Sequence, residues 1–151
     1  MQTITGDLLK LAKEGRFDVI VHGCNCFCQM GAGIAKFIKR EFPEAYTADC
    51  TTARADKGKL GTYSLAKIAR GDIEFVIVNA YTQFDWRGTG LKADYAAIAR
   101  VFKGLANEFA GKRIGYPLIG AGLAGGDWNV IAAIIDQELV GLDHTLVKLP
   151  Q

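Results

Sequence analysis

Two glycine-rich stretches, each set between an apolar run and a helical pattern, constrain this chain more than any other feature. The first, Gly23-Cys24-Asn25-Cys26-Phe27-Cys28-Gln29-Met30-Gly31-Ala32-Gly33, follows Val19-Ile20-Val21. The second, Gly120-Ala121-Gly122-Leu123-Ala124-Gly125-Gly126, follows the short segment Arg113 to Pro117. A continuous apolar run reads as a buried strand. Strand, loop and helix repeated in that order imply an α/β domain, with ligands outside the carboxyl ends of the strands. Four glycines in seven positions lose conformational entropy that a plain turn need not lose. A cradle of backbone N–H groups around a phosphate does need them. Neither stretch has the GxxxxGK[ST] form, which argues against a nucleoside-triphosphate P-loop. One such loop alone reads equally well as a permissive connection without a ligand. Two at one sheet edge favour a diphosphate.

The remaining pattern fits a single domain over residues 1–151 with a largely parallel sheet. Met1 to Thr5 is a short strand, and Asp7 to Glu14 a helix capped by Asp7 and stopped by Gly15. Gly23 to Ala32 reads as loop. Gly33 to Phe42 is a helix ended by Pro43, and Pro43 opens another toward Asp56. Leu60 to Ala69 and Glu74 to Tyr81 form a hairpin across Arg70-Gly71-Asp72. Thr82 to Gly90 is a polar loop. Tyr95, Ile98, Phe102, Leu105 and Phe109 recur at steps of three and four, the clearest amphipathic helix. After the strand Arg113 to Pro117 and the loop Leu118 to Gly126 come a helix from Trp128 to Leu139 and a last strand from Thr145 to Leu149.

Composition bounds the function. Half of the residues are hydrophobic and 23% are charged, a globular balance. A net charge of +2 is too weak to argue for a nucleic-acid or membrane surface. The start lacks a basic, apolar leader, and no apolar stretch reaches the roughly 20 residues a bilayer needs. A cytoplasmic protein with no membrane association is expected. Cys24, Cys26 and Cys28 alternate, which is not a zinc spacing, and no second Cys/His cluster completes a site. No metal and no cofactor is expected; the thiols read as packing side chains in a reducing compartment.

Thr5-Gly6-Asp7-Leu8, His22-Gly23-Cys24-Asn25, Met30-Gly31-Ala32-Gly33-Ile34-Ala35 and Pro117-Leu118-Ile119-Gly120-Ala121-Gly122-Leu123 resemble, in order, the signature blocks of macrodomains. They are most similar to the branch holding yeast-type ADP-ribose-1″-phosphate phosphatases and terminal ADP-ribose protein glycohydrolases. The resemblance implies a three-layer α/β/α sandwich with a mixed, mostly parallel central sheet. It implies a site for ADP-ribose or ADP-ribose-1″-phosphate, or for an ADP-ribosylated macromolecule. Asp7, with Leu8 beside it, matches the acid that binds the adenine amino group. Asn25, after Gly23, matches the asparagine at the distal ribose. Met30, Gly31, Ala32, Gly33 and Ile34 match the first ligand loop. Pro117, Ile119, Gly120, Ala121, Gly122, Leu123 and Ala124 match the second. The chain departs from the glycohydrolases of that branch. No lysine follows the central strand at Asn79-Ala80-Tyr81, and Ala124 stands where their second loop carries an aspartate. A mechanism through a lysine nucleophile lacks its amine and its acid partner.

The candidate catalytic residues are His22, Asn25 and Asp127. His22, at the end of a buried strand, is either an acid–base or phosphate partner at the ligand mouth or a structural imidazole bonded to backbone. Asp127 reads as the cap of the last helix, as an acid near the terminal phosphate that positions water or protonates the leaving oxygen, or as both at once. Cys24 as a nucleophile competes with Cys24 as a small packing residue. Phe27, Tyr81, Phe84 and Trp128 are core or rim aromatics within reach of an adenine-stacking role. His144 reads as structural, and Lys36, Lys39 and Arg40 as a solvated helix face. The leading expectation is a phosphatase acting on ADP-ribose-1″-phosphate. The alternatives are a hydrolase releasing ADP-ribose from protein or nucleic acid, with water held between Asn25 and the diphosphate, and a non-enzymatic ADP-ribose reader.

Overall fold

A computed structural model describes residues 1–151. Its six strands are β1 (Gln2–Thr5), β2 (Val19–Cys24), β3 (Tyr63–Arg70), β4 (Ile73–Tyr81), β5 (Ile114–Tyr116) and β6 (His144–Lys148). Its helices are α1 (Leu8–Lys13), α2 (Gly33–Glu41), α3 (Pro43–Cys50), α4 (Tyr95–Glu108) and α5 (Trp128–Glu138), with a 3₁₀ turn at Lys57–Lys59. The strands form one sheet in the order β1-β6-β5-β2-β4-β3. Only the hairpin partner β3 runs antiparallel.

The sheet has an apolar layer on each face, as a sheet covered by helices requires. Ile20, Ile77, Phe75 and Ile68 pack under Leu8, Ile38 and Ala45 of α1, α2 and α3 and under Phe42, which joins the last two. Val19, Val21, Val78 and Ile114 pack under Ile98, Phe102 and Leu105 of α4 and Ile131 and Ile135 of α5. The sheet is therefore the expected mixed, mostly parallel one between two helical layers. No helix is long and apolar enough to cross a membrane.

Most boundaries fall within one residue of the sequence reading, and three differ by more. The strand expected to end at Val21 continues to Cys24. Gly23 pairs with Ala80 in that ladder, and only glycine fits there because a Cβ would lie 2.7 Å from Thr82 Oγ1. The helix expected to reach Asp56 stops at Cys50, where the Thr51 and Thr52 hydroxyls donate to the carbonyls of Ala48 and Asp49 and end the ladder. The first hairpin strand begins at Tyr63 rather than Leu60, because Lys57 to Lys59 form the 3₁₀ turn.

Candidate functional site: a cleft of unpartnered amides

β1, β6, β5, β2 and β4 are parallel, so the segments that follow them share one edge of the sheet. Asp7 follows β1, the first glycine loop follows β2, and the second follows β5. The two loops meet directly: a Cβ on Gly33 would lie 3.9 Å from Leu123 Cδ1. Gly31, Ala32, Gly33, Gly122 and Leu123 are exposed, Leu123 at 72%. No atom approaches within 4 Å of the Cβ positions of Gly31 or Gly122, so each of these positions faces open space.

The hydrogen-bond inventory explains what this opening suits. Helices α1, α4 and α5 are capped by the carboxylates of Asp7, Asp94 and Asp127. Helix α2 is not: Ala32 stands at its cap, and no side chain bonds the first turn. Its leading amides, Gly33, Ile34 and Ala35, have no protein acceptor. In the second loop, Gly125 N donates to Gly122 O at 3.1 Å and Gly126 N to Gly120 O at 2.7 Å. The amides of Gly122, Leu123 and Ala124 donate to nothing in the protein. An uncapped helix start beside three successive free N–H groups suits an anion, since the helix dipole and the amides both favour negative charge.

A third segment, Thr82 to Asp94, binds the two loops together. The Cys24 carbonyl accepts from Thr82 N at 3.2 Å, Cys26 N donates to Phe84 O at 2.9 Å, and Asp94 N donates to Thr82 O at 2.8 Å. At the other end, Lys92 N and Ala93 N both donate to Ala124 O. Lys92 Nζ donates to Leu123 O at 3.1 Å. These bonds hold the Leu123 and Ala124 carbonyls to the third segment, and a planar peptide then aims the N–H on its other side away from it. Lys92 was missed from sequence because its partners lie 31 or more positions away.

Some expected side chains lie at this edge and others beneath it. Asp7 is exposed; its Oδ1 caps α1, accepting from Leu9 N and Lys10 N, and its Oδ2 takes no bond from the protein. Leu8 is buried against the core. Asn25 is 6% exposed. Its Oδ1 accepts from Phe27 N and its Nδ2 donates to Gln29 O, so it folds the first loop and keeps one Nδ2 hydrogen free. Met30 and Ile119 pack into the core, Ile34, Pro117, Ala121 and Ala124 are half-buried, and Gly120 takes φ +72°. Asp127 Oδ1 accepts from Asn129 N, so the capping reading of this residue holds. Trp128 is half-buried, and Tyr81 lies in the core.

His22 is 1% exposed and does not open onto the cleft. Asn79 donates from Nδ2 to Ala45 O and Ser64 Oγ, which leaves Asn79 Oδ1 to accept from His22 Nε2–H at 2.7 Å. Burial pulls the imidazole down to about 4, so the ring is neutral near pH 7. Cys24 lies beside it, Sγ 3.5 Å from Nε2. Burial pushes the Cys24 thiol well above its usual range, which disfavours the thiolate a nucleophile needs. Asp49, Lys59 and Tyr81 form a further buried polar group: the Tyr81 hydroxyl donates to Asp49 Oδ1 at 2.7 Å, and Lys59 Nζ lies 4.4 Å above the Tyr81 ring. Burial raises the Asp49 carboxyl. Two surface hollows, one beside Met1 and His144 and one along Asp18, Glu74 and Phe109, involve neither glycine loop.

Comparison with known proteins matches this geometry to a family. The Macro domain family model covers residues 21–135. The chain is 37% identical over 150 residues to an uncharacterized 17.5 kDa protein of Enterobacteria phage T4, covering 95% of this chain and 93% of that one. It is 28% identical over 129 residues to a DNA ADP-ribosyl glycohydrolase of Mycobacterium tuberculosis, covering 83% of this chain but only 34% of the relative, and so matches about a third of that protein's length. Among solved structures, the macrodomain of Mycobacterium tuberculosis DarG superposes with a TM-score of 0.75 at 25% identity, covering 99% of this chain and 97% of that one. With its mixed six-stranded sheet and paired glycine loops, this chain belongs to the macrodomain family.

Proposed function

We propose that the cleft binds ADP-ribose and that the protein hydrolyses the bond holding ADP-ribose to a larger acceptor. The observation that carries this reading is the set of free N–H groups: Gly33, Ile34 and Ala35 at the start of α2, and Gly122, Leu123 and Ala124 in the second loop. A diphosphate between them accepts from both sides, the charge-assisted bonds that a buried anion requires. Asp7 Oδ2, unoccupied by protein donors, receives the adenine amino group. The free Nδ2 hydrogen of Asn25 reaches the terminal ribose.

The chemistry then falls on water and the substrate's own diphosphate. Water held between Asn25 and the diphosphate attacks C1″ of the terminal ribose. The bond from C1″ to the acceptor breaks, the acceptor leaves with the electron pair, and the proton of the water is relayed by the diphosphate oxygens to the departing acceptor. The neutral, enclosed His22 stabilises the sheet beneath the loop rather than exchanging protons with substrate. The reading as an ADP-ribose-1″-phosphate phosphatase gave its proton chemistry to His22 and Asp127, and with the His22 ring enclosed it loses one of the two. The relative whose name specifies ADP-ribosyl glycohydrolysis of DNA favours an acceptor-linked substrate.

The test is incubation with ADP-ribosylated DNA, ADP-ribosylated protein and ADP-ribose-1″-phosphate, following free ADP-ribose and inorganic phosphate by chromatography. Release of ADP-ribose from a modified acceptor without release of phosphate is expected. Binding of ADP-ribose with no product from any substrate leaves a reader. Phosphate release alone restores the phosphatase reading.

A further inference from the structure

Three enclosed side-chain atoms have no hydrogen-bond partner: Asp49 Oδ2, Lys59 Nζ and Gln83 Oε1. The first two belong to the buried group around Tyr81 and carry opposite charges. Gln83 does not; it follows Thr82 on the third segment, the wall of the cleft. Its main chain is tied to the residues on either side of Asn25. Gln83 N donates to Cys24 O at 3.4 Å, and Gln83 O accepts from Cys26 Sγ at 3.5 Å. In extended chain, successive side chains face opposite ways. Thr82 lies on the side of Gly23 and Ile119. Gln83, bridged antiparallel to Ala93, therefore turns to the side of the first loop. An enclosed acceptor without a donor costs stability, and a function is a reason to keep one.

We propose that Gln83 is a catalytic residue that holds the attacking water through its carboxamide oxygen. The proposal rests on the hydrolytic reading above and completes its geometry. A water molecule has two hydrogens and two lone pairs. One lone pair attacks C1″, and Asn25 Nδ2–H, at the terminal ribose, donates to the other. One hydrogen goes to the diphosphate. The second hydrogen needs an acceptor, and Asn25 Oδ1 is taken by Phe27 N. Gln83 Oε1, beside Asn25 and free of protein donors, supplies it. The last torsion of a carboxamide is broad and two-fold, so a half-turn brings the oxygen to the open side of this half-buried residue and breaks no bond to it. With its other three positions held, the water keeps one lone pair aimed at the anomeric carbon. The carboxamide is not basic and takes no proton. The O–H bond that breaks is the one toward the diphosphate, whose oxygens relay the proton to the departing acceptor. The bond formed is C1″–O, and the bond broken is the one from C1″ to the acceptor, whose electron pair leaves with it. Gln83 thus orients the water without titrating.

The experiment follows release of 4-nitrophenol from ADP-ribose carrying that group at C1″, a leaving group that needs no protonation. Gln83→Leu, similar in size but without the oxygen, is expected to lower kcat roughly 100-fold with KM changed by no more than about twofold. Its ADP-ribose affinity by calorimetry and its melting temperature should stay at wild-type values. Gln83→Glu puts an ionisable oxygen at the same place. Its kcat, read at saturating substrate because the carboxylate repels the diphosphate, should fall as pH drops through the carboxyl's pKa, an acid limb that the glutamine cannot give. The proposal is overturned if Gln83→Leu keeps wild-type kcat, if its loss appears in ADP-ribose affinity or melting temperature instead, or if Gln83→Glu shows no new limb. A wild-type protein that binds ADP-ribose and releases no nitrophenol overturns the hydrolytic reading, and the role of Gln83 with it. Failure to bind ADP-ribose overturns the cleft itself.

Discussion

Replacing Gly122 with glutamate isolates the role of the second loop from its folding. The Gly122 Cβ position meets no atom within 4 Å, and the residue is not among the glycines with positive φ, so a side chain enters without clash or backbone strain. Ala at the same position serves as the control, and its reduced unfolded-state entropy makes it neutral or slightly stabilising. The glutamate places a carboxylate beside the amides proposed to receive the diphosphate. At about 6 Å, two unit charges interact by roughly 3 kcal/mol at an effective dielectric of about 20. The mouth is open to water, so about half of that is retained for each of the two diphosphate charges. The sum, about 3 kcal/mol, corresponds to ADP-ribose binding about 100-fold weaker. Titration calorimetry with ADP-ribose measures the loss, and thermal unfolding verifies that the variant is folded. Wild-type affinity in a folded Gly122→Glu protein refutes the assignment of the diphosphate to this loop.

Four further outcomes follow. The unfolded-state pKa of His22, near 6.5, exceeds its folded value of about 4, so the unfolded chain takes up the proton first as pH falls. Stability from this group is complete above about pH 6.5 and declines by about 3 kcal/mol toward pH 4; urea unfolding across that range should show the slope, and His22→Gln should flatten it. Of the four thiols only Cys50 is exposed, so Ellman's reagent should titrate one quickly in the native protein and the other three only on unfolding. Two fast thiols would contradict the burial of the first loop. Gly120→Ala forces an L residue to φ +72° with its Cβ 3.1 Å from Ile131 Cδ1, and a loss of about 1–3 kcal/mol is expected in chemical denaturation. Lys92→Met removes the Nζ bond to Leu123 O and should weaken ADP-ribose binding severalfold at nearly unchanged melting temperature; unchanged binding would show that the backbone bonds to Ala124 suffice.

The strands, the helices and the two glycine loops were legible because their signals are local: apolar runs of strand length, three-and-four periodicity from Tyr95 to Phe109, and an aspartate before each of three helices. The convergence of the loops followed from parallel strands, which place every following segment at one edge. What was not legible depends on partners far along the chain. His22 read as a residue at the mouth because Asn79, whose Oδ1 accepts from its Nε2–H, lies 57 positions away. Gly23 and Cys24 read as loop from the glycines and short polar residues around them, because their ladder partners Ala80 and Tyr81 lie far along the chain. The Thr82 to Asp94 segment carried no periodic signal, yet its bonds to Cys24, Cys26 and Ala124 make it the third wall of the site. The absence of a cap on α2 was visible at Ala32; its meaning emerged only beside the unpaired amides of Gly122 to Ala124.

Amide proton and nitrogen shifts recorded while ADP-ribose is added test the account most directly. The largest changes, with new protection from solvent exchange, are expected at Gly33, Ile34, Ala35, Gly122, Leu123 and Ala124. Saturable binding that leaves those six amides unmoved while others shift would contradict the central claim that unpartnered main-chain donors hold the ligand.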